Sequence, residues 1–287
     1  MTAAKILVTG AGGLLAADLI PVLRAAGHPV LACTRADLDV TDPHAVQAKL
    51  ATEQPPIVVH CAAYTQVDAA ERAPEEAWRI NAEATRTLAR ACREQGATLA
   101  YLSTDYVFDG EASQPYPIDA PTGPLSAYGR SKLGGEEAVR QSLEAHFIIR
   151  TAWLYGAGGG NFVDTMRRLG RGREVVRVVD DQFGSPTWSH DLAIALAALL
   201  KSGRHGTYHA TGTGTCSWFT LAQRVFQLEH LPAPLEAIDT ARMARPAPRP
   251  RYSVLDPSSL ALAGVAALPP WEESLARYLA TQPFGGA

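Results

Sequence analysis

The chain has 287 residues, of which 47% are hydrophobic and 19% charged, with a formal net charge of −3. That length supports one large domain or one and a half, burying roughly three quarters of the unfolded surface. The charge balance excludes the basic footprint of a nucleic-acid or polybasic membrane binder, and the longest apolar helical segment, Ala193 to Leu200, is too short to span a bilayer.

Cys33, Cys61, Cys92 and Cys216 stand singly, with no C-x-x-C pair. Buried free thiols in a reducing cytoplasm are expected, and disulfides are not. An apolar strand begins at Lys5, which leaves no room for a signal peptide and agrees with a cytoplasmic location.

That first strand, Lys5 to Thr9, runs into Gly10-Ala11-Gly12-Gly13 and a helix from Leu14 to Ala26. Strand, glycine turn and helix is the layout in which backbone N–H groups meet a pyrophosphate. The pattern is T-G-x-x-G-x-x-A, with Ala16 small enough for close helix–strand packing. A second strand, Pro29 to Thr34, ends at Arg35, where dinucleotide folds sense the adenosine ribose. Arginine there suits a 2′-phosphate; the alternative is a solvated charge, with Asp37 and Asp39 close by. Asp42 caps a helix to about Glu53, Pro55-Pro56 breaks it, and Ile57 to Cys61 is the third strand. Ala62-Ala63-Tyr64-Thr65 then passes as small residues must beside a bound cofactor. One helix is predicted from Pro74 to Gln95, followed by a strand from Thr98.

That strand delivers Thr104 and a loop rich in Pro, Asp and Gly, which leads to a helix from about Leu125 to Glu144. Tyr128 and Lys132 stand i and i+4 on it, so both side chains share a face. A nearby ammonium is expected to lower the phenol's pKa toward the range useful for acid catalysis. The Thr104 hydroxyl could hold a carbonyl oxygen beside that phenol.

A strand from Phe147 to Thr151 follows, and the alternation implies a parallel sheet with helices on both faces and ligands beyond the strands' C-terminal ends. The second half is less regular. It has a helix from Asn161 to Leu169, a strand from Glu174 to Val179, a helix from Ser189 to Leu200, a strand from Gly206 to Ala210 and a helix from Ser217 to Gln227. A proline-dense stretch between Pro232 and Pro257 carries Arg242, Arg245, Arg249 and Arg251. It is either a solvated charge cluster or a diphosphate clamp. His205 and His209 fall on a strand, so no metal site is expected, and Trp188, Trp218 and Trp271 are read as packing.

Taken together, ILVTGAGG, CAAYTQVDAAE, STDYVFDG, YGRSKLGGE, RTAWLYG, GGNFVDTM, VVDDQFGSPTW, GTYHATG and RPRYSVLD resemble the extended short-chain dehydrogenase/reductases, in their dTDP-4-dehydrorhamnose reductase branch. The resemblance implies a Rossmann-type, doubly wound α/β fold with a smaller C-terminal substrate-binding lobe. Residues 1–155 would bind NAD(P), and 156–287 would form most of the lobe, with segments around 174–210 returning to the sheet. It also implies hydride transfer from NADPH, or from NADH, to the 4-keto carbon of dTDP-4-dehydro-L-rhamnose. Thr104, Tyr128 and Lys132 would be catalytic. Gly10, Gly12, Gly13, Leu14, Arg35, Asp39, Val40, Ala62, Ala63 and Tyr64, with Tyr128 and Lys132, would hold the dinucleotide. Thr104, Asp105, Trp153, Asn161, Gln182 and Arg249 would meet the nucleotide sugar. A homodimer stands open as an assembly state. Two other readings stay open: a non-catalytic subunit resembling the methionine adenosyltransferase β-subunit, and a related epimerase or dehydratase.

Overall fold

The computed structural model describes residues 4–282, so the outer limits of the two expected units, residues 1 and 287, lie outside it. The first half alternates as expected: β1 Ile6–Thr9, α1 Leu14–Ala25, β2 Val30–Cys33, α2 Pro43–Glu53 and β3 Ile57–His60. Two short helices, α3 Val67–Ala70 and α4 Pro74–Trp78, precede α5 Ala84–Gln95, β4 Thr98–Thr104, α6 Ala127–Ser142 and β5 His146–Thr151. Side chains fix the helix starts: the Asp42 carboxylate accepts from His44 and Ala45 N–H, and Ser126 Oγ accepts from Gly129 N–H. Each such cap contributes about 1 kcal/mol.

The second half holds β6 Leu154–Tyr155, α7 Phe162–Gly170, β7 Val176–Val179, β8 Phe183–Gly184, β9 Thr187–Trp188, α8 Ser189–Ser202 and β10 Gly206–His209. It continues with β11 Cys216–Ser217, α9 Trp218–Leu228, β12 Leu235–Ile238, α10 Ser259–Leu262 and α11 Trp271–Thr281.

Six strands form one sheet in the order β10-β5-β4-β3-β1-β2, and every pairing in it is parallel. The two-residue alternation of the strands sorts the core. Ile6, Val8, Val59, Ala100 and Ile149 face α1 and α8, while Leu7, Val58, Leu99, Tyr101 and Ile148 face α2, α5 and α6. A third core joins α7, α9, α11 and β7 around Val163, Val225, Trp271 and Leu275. After β2 the chain crosses to the other side of β1 to lay down β3, so the order reverses between β1 and β3. The loops leaving such neighbours diverge and open a crevice at their C-terminal ends.

Two expectations are corrected. The helix predicted as continuous from Pro74 to Gln95 is interrupted by a π-helical turn over Arg79–Glu83, a single turn inside an otherwise helical run and too short to be read from a pattern. Within 174–210, α8 and β10 join the sheet layer, but β7 pairs with β12 as a separate parallel ribbon.

Candidate active site

The turn after β1 is shaped by close contact. Gly10 has φ of 65°, and a Cβ there would sit 2.6 Å from the Ala62 nitrogen beyond β3. Only glycine takes both the left-handed backbone and that approach. Gly13 begins α1 with no side-chain cap, so the positive end of the helix faces the crevice with free N–H groups. A groove of about 330 Å³ runs from here over Gly12, Thr34, Arg35, Asp39, Val40 and Ala62. The Arg35 side chain is 78% exposed and lies 3.6 Å from the Asp39 carboxylate, within reach of an anionic ligand.

A second cleft of about 550 Å³ shares Gly13, Cys61 and Ala63 with the groove and continues over Leu14, Thr104, Asp105, Tyr128, Lys132 and Trp153. β4 ends at Thr104, and α6 comes close to the turn beyond it because residue 129 is glycine: a Cβ there would lie 2.3 Å from the Tyr106 carbonyl oxygen. That approach places Tyr128 and Thr104 together in the lining of the cleft. Thr104 Oγ1 donates to Asp105 Oδ1 at 2.9 Å and accepts from Tyr106 N–H at 3.2 Å.

Lys132 behaves differently from the expectation. Its Nζ donates to the Leu102 carbonyl at 2.6 Å and sits 4.1 Å from the centre of the Tyr101 ring. Burial pushes it down to about 7, against the opposing charge of Glu136 one turn on. Tyr128 is pushed up to about 12, chiefly by burial and also by Asp105, while the Thr104 hydroxyl lowers it. The expected lowering by Lys132 is therefore corrected: desolvation of the phenol dominates, and the ammonium is directed at a carbonyl and an aromatic face. Asp105 is 2% exposed, and burial raises its carboxyl to about 6.

The remaining candidates are dispersed. Tyr64 exchanges two backbone hydrogen bonds with the Asn81 amide, at 2.8 and 3.0 Å, and lies outside the lining of both cavities. Asn161 caps α7 and donates to Gly156 O and Asp164, so its amide secures the glycine loop. Gln182 donates to Thr240 Oγ1 at 2.9 Å. Arg249 donates to Asp68 at 2.9 Å and faces a separate cavity of about 750 Å³ with Arg251, Phe183 and Tyr252. Arg242 pairs with Glu236, and Arg245 with Asp68, so three of the four arginines of that stretch already have carboxylate partners.

Two residues were missed. Trp218, read as packing, lines the cleft and stacks on Trp153 with ring centres 3.5 Å apart and planes 4° apart. Asn81, in the π-turn, ties Tyr64 to Ser131 of α6. A polar residue among the apolar positions of a helix was the only signal for it.

A family model described as the RmlD substrate binding domain matches residues 4–283. The chain belongs to that family. Among its RmlD-type relatives is a dTDP-4-dehydrorhamnose reductase of Streptomyces griseus, 49% identical over 94% of this chain and 91% of the relative. A dTDP-4-keto-6-deoxy-D-glucose reductase of Streptomyces niveus is 43% identical, covering 94% of each chain. The crystal structure of a Bacillus anthracis dTDP-4-dehydrorhamnose reductase in complex with NADP superposes with a TM-score of 0.95 at 39% identity, covering 97% of this chain and 99% of that one. The resemblance read from the sequence, and the doubly wound fold it implied, are both borne out.

Proposed function

We propose that this chain is an NADPH-dependent oxidoreductase that reduces the 4-keto group of a dTDP-4-keto-6-deoxy sugar, with dTDP-4-dehydro-L-rhamnose as substrate and dTDP-L-rhamnose as product. The supporting observation is that Thr104, Tyr128 and Lys132 meet in a cleft continuous with a glycine-lined groove at the sheet's topological switch point. The groove fits a dinucleotide. The uncapped start of α1 and the Gly10 turn would hold the pyrophosphate, and Arg35 the phosphate-bearing ribose.

When bound, the reduced nicotinamide supplies the hydride. The protein supplies the proton and the geometry. Tyr128, kept protonated by burial, donates its phenolic proton to the oxygen that becomes the alcohol. Lys132 stands on the same face of α6, is anchored to the Leu102 carbonyl near the end of β4, and would meet the nicotinamide ribose. Trp153 and Trp218 wall the sugar side with apolar surface. No covalent nucleophile is required.

A cytoplasmic location, supported by four free cysteines, a homodimeric state, and a division near residue 155 between dinucleotide and sugar sides belong to the same proposal. Among the described residues no helix is long and apolar enough to cross a membrane.

The test follows the absorbance of NADPH, with NADH alongside, on dTDP-4-dehydrorhamnose made in situ. Tyr128→Phe should cut turnover about 10²- to 10⁴-fold while leaving dinucleotide affinity within about threefold. Unchanged turnover in that variant would remove Tyr128 from the reaction. Absence of any NADPH oxidation, with a partner enzyme co-purifying, would favour the non-catalytic subunit.

A further inference from the structure

The Thr104 hydroxyl has one hydrogen to give and two lone pairs to receive with. Its hydrogen goes to Asp105 Oδ1, and one lone pair takes the Tyr106 N–H. While Asp105 is a carboxylate, which can only accept, the one Thr104 hydrogen is committed to it. A ketone oxygen also only accepts, so Thr104 then has no hydrogen to offer it. The second carboxylate oxygen, Asp105 Oδ2, is buried without a hydrogen-bond partner, in a residue that lines the same cleft. A neutral carboxyl resolves both problems. It removes the buried charge, and its O–H can turn to Thr104 and reverse the bond.

We propose that Asp105 is a positioning residue that works as the neutral acid: its O–H donates to Thr104, which frees the Thr104 hydrogen for the keto oxygen of the bound sugar. This rests on the reductase reading above. No proton leaves Asp105 or Thr104 in the step; the proton that completes the alcohol comes from Tyr128.

The titratable and charged groups around Asp105 are Tyr106 on its own turn, Tyr128 and Lys132 from α6, and Asp68 with Arg249 beyond Tyr106. Ser253 adds an uncharged hydroxyl from the C-terminal segment. With the carboxyl raised by burial to about 6, the competent form is lost as pH rises through that value. Lys132, at about 7, adds a separate descent at higher pH.

The experiment is kcat/KM against pH, from about 5 to about 9, for the wild type, Asp105→Asn and Asp105→Ala. The wild type should lose about tenfold per pH unit above the Asp105 ionisation. The Asn amide donates to Thr104 at every pH, so Asp105→Asn should lose that first descent and keep only the later one, whatever its absolute rate. Asp105→Ala should be slow throughout. A readout without turnover is the infrared difference spectrum of the ligand-free protein. On acidification it should show a buried protonated carboxyl that titrates near 6 in the wild type and is missing in Asp105→Asn. An Asn variant with the wild-type descent, or a wild type without that band, overturns the proposal. A wild type that turns over no dTDP-4-keto sugar overturns the reductase reading instead, and the infrared band then decides the state of Asp105 by itself.

Discussion

Glu136 lies one turn beyond Lys132 on α6 and has no exposed surface. Its carboxylate accepts from Arg150 Nε at 2.9 Å and Nη2 at 2.8 Å, from Arg140 at 2.7 Å, and from Ser103. Glu136→Gln keeps the shape but removes the charge. Arg140, 38% exposed, can turn to water; the Arg150 side chain, 3% exposed, cannot. Leaving one member of a buried pair without its partner costs about 3–5 kcal/mol. For a chain of this size each kcal/mol lowers the melting temperature by roughly 1.7 °C, so a fall of about 5–8 °C is expected in thermal unfolding followed by circular dichroism. A melting temperature within about 2 °C of the wild type would refute the reasoning. The double variant Glu136→Leu, Arg150→Met, with neither charge, should recover most of the loss. The acid limb has a definite sign. Burial alone would raise the Glu136 pKa, but hydrogen bonds and charge from Arg150 outweigh it and hold it below the ordinary 4.5. Its contribution to stability is therefore whole above that ordinary value and is lost as pH falls through the lower folded one.

Lys132 carries the opposite linkage. Its folded pKa of about 7 lies below the ordinary 10.5, so the wild type bears the cost of a buried charge in full below about 7 and sheds it as pH rises toward 10.5. Lys132→Met should therefore gain more stability at pH 6 than at pH 9; urea midpoints at the two pH values check this, and an equal or reversed difference would sink it. Arg35→Ala should weaken NADPH about tenfold and NADH by less than about threefold, as expected for loss of one charge-assisted phosphate contact. Fluorescence titrations with both dinucleotides measure this, and equal losses would show that Arg35 does not sense the 2′-phosphate.

What the sequence made legible followed from local chemistry. Consecutive apolar residues such as Ile6, Leu7 and Val8 announce a strand buried on both faces, and the Gly10 turn announces its approach to a neighbour. The Tyr128–Lys132 spacing holds because α6 is regular there. Partnerships across long separations were hidden. Arg249 meets Asp68 across 181 positions and Gln182 meets Thr240 across 58, and nothing near either arginine or glutamine signals those partners. The π-turn escaped because a single turn of five residues, flanked by helix on both sides, is too short to carry a period of its own. Trp218 escaped because an aromatic at the start of an apolar helix looks the same whether it fills a core or walls a cleft.

The Trp153–Trp218 stack has a spectroscopic consequence. Trp153 follows β5 with a left-handed φ of 46°, a conformation whose cost of about 1–3 kcal/mol its surroundings must sustain. Its partner opens α9, so the two rings meet from segments 65 positions apart and are held face to face. Closely stacked indoles couple their intense electronic transitions, so a paired band of opposite signs is expected in far-ultraviolet circular dichroism. A sugar bound along this wall would perturb both rings together, so a change in that band on adding nucleotide sugar is the expected gauge of occupancy, and Trp218→Phe provides its blank.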